Sequence, residues 1–172
     1  MNRLHGLILT PEGLMQGDLV WEGDRIKAML VHTEPTHERA SHLPLIVPGF
    51  IDLHVHGAAG HDFMDGDEAV SAIAAMHAKH GTTAMLATTM TAPIEAIKRA
   101  LAAIANLMLQ QSSTPRVEAK ILGVHLEGPY LSALKLGAQP PYAKVASLEE
   151  IMALDAIAAL KVITIEIGRA HV

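Results

Sequence analysis

The most informative part of the sequence reads Val47-Pro48-Gly49-Phe50-Ile51-Asp52-Leu53-His54-Val55-His56-Gly57. From residue 50 to residue 56 the side chains alternate, which predicts a β-strand with Asp52, His54 and His56 on one face. The two imidazoles lie at the C-terminal end of this strand, where parallel α/β folds place their functional groups. Neutral imidazole suits Zn²⁺, Fe²⁺ or Co²⁺, so the histidines are candidate metal ligands. The alternative is a pair of strand-end histidines that face solvent.

Downstream of this stretch, strands alternate with helices. The apolar patterns predict strands at 82–90, 119–127 and 160–165. Helices are predicted from a cap at Asp67, from the region of Thr91 with Pro93 in the first turn, and from a capping box at Ser147. This order predicts a parallel sheet with right-handed crossovers. A complete (β/α)₈ barrel typically needs about 250 residues, so periodicity leaves open half a barrel or a small open sheet in this chain of 172 residues.

Upstream, residues 1–47 predict a small β-rich unit of short strands and turns. Its polar stretch 32–43 is predicted to be a loop, and the histidines there show no partner pattern: His32, His37 and His42.

Composition excludes several classes of function. The 13 Lys+Arg residues are scattered and outnumbered by 18 Asp+Glu, which excludes a nucleic-acid partner. There is no apolar run of about 18 residues for a membrane span, and the N-terminus lacks the apolar region of a secretory signal, so we expect a cytoplasmic protein. Cysteine is absent, which excludes thiolate metal sites.

The predicted strand 119–127 carries a second group of interest at its end. His125 and Glu127 share a face by parity, and Gly128-Pro129 turns the chain directly after them. A glutamate at the mouth of a parallel sheet is a candidate oxygen ligand. The alternative is a solvated charge at the end of a strand.

Together, two motifs resemble the amidohydrolase superfamily and, within it, the N-acetylglucosamine-6-phosphate deacetylase family. The first is the stretch 47–57, and the second is His125-Leu126-Glu127-Gly128-Pro129-Tyr130 with the downstream Lys135 and Gly137-Ala138-Gln139. The resemblance covers residues 1–165. It implies an α/β fold, namely a partial (β/α)₈ TIM-type barrel of about four strands in residues 48–165. A small N-terminal β-sandwich portion in residues 1–47 would precede the barrel.

The resemblance also implies roles for individual residues. The implied metal ligands are His54, His56 and Glu127, holding one or two divalent ions such as Zn or Fe. Two ions are expected because both histidines are retained. The remaining implied roles are substrate contact for Ala138 and Gln139, and support of the ligands for Asp52 and His125.

The reaction implied is hydrolysis of the acetamide of N-acetyl-D-glucosamine 6-phosphate by a metal-activated water, giving acetate and D-glucosamine 6-phosphate. The partner is then a small amino-sugar phosphate, and the full-length protein is expected to be a homo-oligomer, specifically a dimer. Two alternatives stay open: an N-acetylgalactosamine-6-phosphate deacetylase, and a metal-binding half-barrel without catalysis.

The last residues, 166–172, depart from the family, which usually continues Ala-Pro-Glu after the fourth strand. They back-translate as GAG ATC GGA AGA GCA CAC GTC, which resembles a common sequencing adapter. We therefore expect a non-native tail on a truncated chain; the alternative is a genuine variable tail. Half a barrel has unpaired strand edges and an uncovered interior face, so we expect this piece of an enzyme to be poorly stable, prone to aggregation and inactive. The catalytic aspartate of the family would lie beyond the C-terminus.

Overall fold

The computed structural model describes residues 1–33 and 42–166. Most of the expected loop 32–43 and all but Glu166 of the expected non-native tail therefore lie outside the described residues. The chain divides into two compact units, Met1–Pro48 and Gly49–Val172.

The first unit is a four-stranded sheet. Its strands are β1 (Asn2–Thr10), β2 (Gly13–Glu22), β3 (Arg25–Thr33) and β4 (Leu45–Ile46), in the order β3-β2-β1-β4. Both long pairings are antiparallel, and β4 joins β1 in parallel. A sandwich requires a second sheet against this one, and the described residues of this unit form one sheet. The sandwich therefore remains a prediction.

One expectation for this unit is wrong. His32 belongs to β3 and not to a loop. The pairing of β2 with β3 passes from Gly17↔Val31 to Gln16↔Thr33, which leaves His32 as the extra residue of a β-bulge. The polar composition after residue 31 predicts a loop and hides the last two residues of the strand, His32 and Thr33.

The second unit starts with β5 (Phe50–Val55), a hairpin of two short strands, β6 (Gly57–Ala58) and β7 (His61–Asp62), and a 3₁₀ turn at Phe63–Asp65. Ala59 and Gly60, both with positive φ, make the tip of this hairpin. Alternating helices and strands then follow: α1 (Asp67–Lys79), β8 (Thr82–Thr88), α2 (Ile94–Ser113), β9 (Lys120–Glu127), α3 (Leu148–Asp155) and β10 (Leu160–Thr164).

The four longer strands of this unit form one parallel sheet in the order β10-β9-β8-β5. The predicted α/β class and parallel sheet are thereby confirmed. Helices α1 and α2 bury their apolar residues in the same core as the sheet, and the central side chains of α2 are fully buried: Ile97, Leu101 and Ile104. Because the strands are parallel, the groups at their C-terminal ends share one edge of the sheet.

Three helix starts differ from expectation. Pro93 is the N-cap of α2 and not part of its first turn, because the helix begins at Ile94. Gly66, not Asp67, is the N-cap of α1, and Asp67 is the first helical residue. Ser147 does cap α3 and accepts from the Glu150 amide, but the Glu150 carboxylate binds Tyr130 and Lys144. In the described part of the chain, no helix is both long enough and apolar enough to cross a membrane.

Candidate metal centre

Two strands that are not neighbours bring the candidate ligands together. His54 lies on β5, His56 directly follows β5, and Glu127 is the last residue of β9. Strand β8 separates them and holds the end of β5, because the Thr88 hydroxyl accepts from the Val55 amide at 2.9 Å. The three side chains thereby meet at the C-terminal edge of the sheet, where β5 shifts its register against β8 between Asp52 and Val55.

The distances within this group are short. Glu127 Oε2 lies 2.9 Å from His56 Nε2 and 3.9 Å from His54 Nε2. The two imidazole rings are 4.9 Å apart between centroids and nearly perpendicular, at 88°. One ligand atom from each residue falls within 4.8 Å of the others. Two metal–ligand bonds of about 2.0–2.2 Å span nearly that separation.

The donor set and its surroundings fit a divalent cation. Two imidazole nitrogens and one carboxylate oxygen are ligands that Zn²⁺ and Fe²⁺ accept. His56 Nδ1 is buried and has no hydrogen-bond partner among the described residues. Glu127 is only 19% exposed, whereas the His54 side chain is 49% exposed and open to solvent. An ion here would be held from the sheet side and approached from solvent.

His125 supports the group without joining it. It is buried, and its Nδ1 lies 3.1 Å from the Leu53 carbonyl oxygen while Nε2 lies 2.8 Å from Thr164 Oγ1. Its ring packs 4.9 Å from that of His54. With both nitrogens engaged, this histidine links β5, β9 and β10 beneath His54.

Asp52 acts on the main chain. Its Oδ1 accepts from the backbone amide of His54 at 3.1 Å. This bond fixes the peptide from which the His54 ring projects.

Gln139 contacts the candidate ligand Glu127 directly. Its Nε2 donates to Glu127 Oε2 at 2.9 Å, and its Oε1 accepts from the Thr91 amide at 2.8 Å. The neighbouring Ala138 is exposed. Sequence reasoning placed Gln139 at the substrate and missed the contact with Glu127, because it joins two residues across an irregular loop.

The turn after Glu127 requires glycine. Gly128 has φ of +73°, and an added Cβ would collide with Thr91 Oγ1. A cis peptide bond joins it to Pro129. The backbones of Gly128 and Thr91 approach each other closely here. The Thr91 amide then donates to Gln139, which is the residue that contacts the Glu127 carboxylate.

Beyond this turn, an ionic group ties α3 to the loop. The buried Tyr130 hydroxyl donates to Glu150 Oε1 at 2.8 Å, and Lys144 Nζ donates to Oε2 at 2.8 Å. The pKa of Tyr130 is raised, chiefly because the side chain is buried and to a lesser extent because it is bonded to Glu150. The bond from Lys144 lowers the pKa of Glu150.

The sequence of this chain is similar to those of known proteins. Residues 45–165 match the family described as "Amidohydrolase family". The N-acetylglucosamine-6-phosphate deacetylase of Lysinibacillus sphaericus is 37% identical over 125 residues, which is 70% of this chain and 31% of that protein. The N-acetylgalactosamine-6-phosphate deacetylase of Escherichia coli O157:H7 is 35% identical over 153 residues, 86% of this chain and 39% of that protein. The chain thus spans about a third of the length of these curated relatives.

Solved structures agree. The N-acetyl-D-glucosamine-6-phosphate deacetylase of Mycobacterium smegmatis matches 99% of this chain and 48% of that one, with a TM-score of 0.78 and 28% identity. The corresponding enzyme of Thermotoga maritima matches 88% of this chain and 39% of that one, with a TM-score of 0.71 and 30% identity. The resemblance inferred from the two motifs is confirmed, and the chain belongs to the amidohydrolase family.

Proposed function

We propose that this chain is the metal-binding part of a metal-dependent deacetylase that acts on N-acetyl-D-glucosamine 6-phosphate. The products are D-glucosamine 6-phosphate and acetate. The convergence of His54, His56 and Glu127 on one point at the C-terminal edge of the sheet carries the proposal. The names of the relatives supply the substrate class.

His54, His56 and Glu127 would hold one or two divalent ions, Zn²⁺ or Fe²⁺ by the chemistry of the donors. When bound, such an ion would polarise the amide carbonyl of the substrate and lower the pKa of a water molecule bound to it to about 7. Glu127 accepts a hydrogen bond from Gln139 Nε2 through Oε2, which orients the carboxylate independently of an ion.

The remaining groups position these ligands. Gln139 holds the Glu127 carboxylate in place, and the loop that carries Ala138 and Gln139 provides the side on which the sugar binds. His125 and Asp52 fix the ring and the peptide of His54. Support of this kind is typically worth a factor of about 10–100 in metal affinity.

The metal assignment is tested by uptake of Zn²⁺ after treatment with a chelator. We expect His56→Ala and Glu127→Gln each to reduce Zn²⁺ binding at this site to background. The exposed His80, at the end of α1, offers the control His80→Ala, for which no change is expected. Full Zn²⁺ occupancy in both ligand variants would remove the assignment.

The deacetylase assignment needs a separate test. Residues 45–165 of this chain replace the matching segment of the Lysinibacillus sphaericus enzyme, and acetate release by the chimera is measured. We expect turnover of N-acetylglucosamine 6-phosphate that Glu127→Gln abolishes. A folded, metal-loaded chimera that releases no acetate would refute the proposal, and faster turnover of N-acetylgalactosamine 6-phosphate would favour the epimeric activity.

A further inference from the structure

Three strands of the first unit bring a second group of ligand-type side chains together. His5 on β1 and His32 on β3 lie on either side of Asp18 on β2. His5 Nδ1 is 3.0 Å from Asp18 Oδ1, and His32 Nε2 is 2.5 Å from Asp18 Oδ2. One ligand atom from each residue falls within 4.8 Å of the others. The ring centroids of the two histidines are 6.1 Å apart.

The backbone is shaped to make this group. His5 and Asp18 are directly opposite in the antiparallel register of β1 and β2. Asp18 pairs with Leu30 of β3, and His32 lies two residues further along that strand, so ordinary strand alternation puts its ring on the face of Asp18. The β-bulge at His32 lies beside this group, and bulges occur next to functional sites.

Burial and charge distinguish Asp18 from a surface carboxylate. Its side chain is only 2% exposed, whereas those of His5 and His32 are about half exposed. Arg3 places its guanidinium 2.5 Å from Asp18 Oδ2, with its own side chain 61% exposed. The bond to Arg3, and then that to His32, lower the pKa of Asp18. A buried anion thus faces an opening lined by two imidazoles and one displaceable cation.

We propose that His5, Asp18 and His32 form a second divalent transition-metal site, separate from the one at the edge of the parallel sheet. Two imidazoles with one carboxylate select Zn²⁺, Co²⁺ or Ni²⁺ over Mg²⁺ and Ca²⁺, which require mostly oxygen ligands. Arg3 occupies part of the same site through Oδ2, so a bound ion displaces its guanidinium into solvent. The exposed side leaves room for water as a further ligand.

Gln16 supports the assignment. Its side-chain amide lies 3.2 Å from His5 Nε2, the nitrogen that faces away from Asp18. The amide oxygen and nitrogen of glutamine are interchangeable in such a contact. When His5 ligates through Nδ1, its Nε2–H donates to the Gln16 oxygen, which is the usual arrangement behind a metal-bound histidine.

The first test counts ions on the whole chain. After chelation and reloading with Zn²⁺, we expect His5→Gln/His32→Gln to bind one ion fewer than the unmodified chain. The combined variant His54→Ala/His56→Ala/Glu127→Gln should keep that ion. The two variants therefore distinguish a wrong assignment of the second site from a wrong assignment of the site in the proposed function. His42→Gln/His80→Gln, which changes exposed histidines, is the control. Equal Zn²⁺ content in the unmodified and His5→Gln/His32→Gln chains would overturn the proposal.

The second test does not depend on how the histidine variants fold. Arg3→Gln removes the competing cation, and we expect Zn²⁺ affinity at this site to rise about two- to fivefold, the equivalent of an exposed ion pair. The imidazole resonances of His5 and His32 should move on addition of Zn²⁺ in the unmodified chain. Unchanged or weaker Zn²⁺ binding in Arg3→Gln would show that the group is a structural ion cluster, and so would unmoved resonances.

Discussion

At the scale of single residues, Glu127 is the group on which the proposed metal centre depends. Its Oε2 lies within 4 Å of both candidate histidine ligands and accepts from Gln139. A carboxylate that accepts a hydrogen bond from a neighbouring side chain keeps a fixed orientation, which is what a ligand at the end of a strand requires. Gln139 is therefore a positioning residue as well as part of the proposed substrate loop.

This role predicts the effect of Gln139→Leu, which removes both amide contacts at similar volume. We expect Zn²⁺ affinity at the His54–His56–Glu127 site to fall about 10- to 100-fold, because Glu127 loses its orienting donor. Isothermal titration of the chelated chain measures it, with exposed Ala138→Ser as the control. A residue that contacts only the sugar would leave metal affinity unchanged.

The turn after Glu127 predicts a second residue-level effect. Gly128→Ala must place a Cβ against Thr91 at φ of +73°, and we expect a loss of about 2–4 kcal/mol in the free energy of unfolding. Gly137 has a similar φ of +61° with nothing within 4 Å, so Gly137→Ala should cost only about 1 kcal/mol. Urea denaturation compares them. Equal losses would show that the contact with Thr91 is unimportant.

The residues of both sites differ in how far sequence could predict them. Strand parity places His54 and His56 on one face, and it likewise places His125 and Glu127 on one face. The apolar pattern of residues 119–127 puts Glu127 at the end of its strand. The contact between Gln139 and Glu127 escapes prediction because no periodicity governs an irregular loop. His32 escapes because the polar composition after residue 31 predicts a loop, so strand alternation is not extended to the end of β3.

At the scale of elements, α2 shows what binds a helix to the sheet. Leu101 is fully buried in the core, whereas Leu109 on the same helix is 70% exposed. We expect Leu101→Ala to lower the free energy of unfolding by about 3 kcal/mol through the cavity it leaves. Leu109→Ala should change it by less than about 0.5 kcal/mol. Urea unfolding followed by circular dichroism separates the two, and a similar loss in both would contradict the burial.

The attachment of α3 predicts a pH dependence. The pKa of Glu150 is lower in the folded chain than in the unfolded chain, where it is about 4.3. Its ion pair with Lys144 therefore stabilises the folded chain fully above that pH, and this stabilisation is lost as pH falls below it. The folded pKa of Tyr130 is raised, so its bond is complete below about pH 10 and lost at higher pH. Glu150→Gln should therefore lower the urea midpoint at pH 7, and the difference from the unmodified chain should shrink progressively as pH falls below about 4.3. A difference that stays constant with pH would exclude the charge as the cause.

The ends of elements were harder to predict than their existence. Apolar spacing locates α2 and all four parallel strands, because burial in one core imposes the period. The short hairpin of β6 and β7 follows from a left-handed Ala59 beside Gly60, a conformation that residue types alone do not specify. Likewise, the choice of Gly66 over Asp67 as cap depends on the preceding 3₁₀ turn.

At the scale of the whole molecule, the parallel sheet has β5 and β10 as its outer strands in the described part of the chain. An outer strand presents unpaired amide and carbonyl groups, which pair readily with another chain. On β5 the exposure extends to large apolar side chains, since Ile51 is 63% and Leu53 is 57% exposed. The strand therefore combines free hydrogen-bonding groups with an apolar surface.

This combination predicts that the chain associates, with β5 as the contact. We expect Ile51→Lys/Leu53→Lys to shift the chain toward monomer in light scattering, because charges on an outer strand oppose pairing. Val117 and Leu134, which are also highly exposed but outside the strands, supply the control Val117→Lys/Leu134→Lys. Both pairs add the same charge, so equal relief of association would point to net charge and not to β5. An unmodified chain that is already monomeric would refute the prediction entirely.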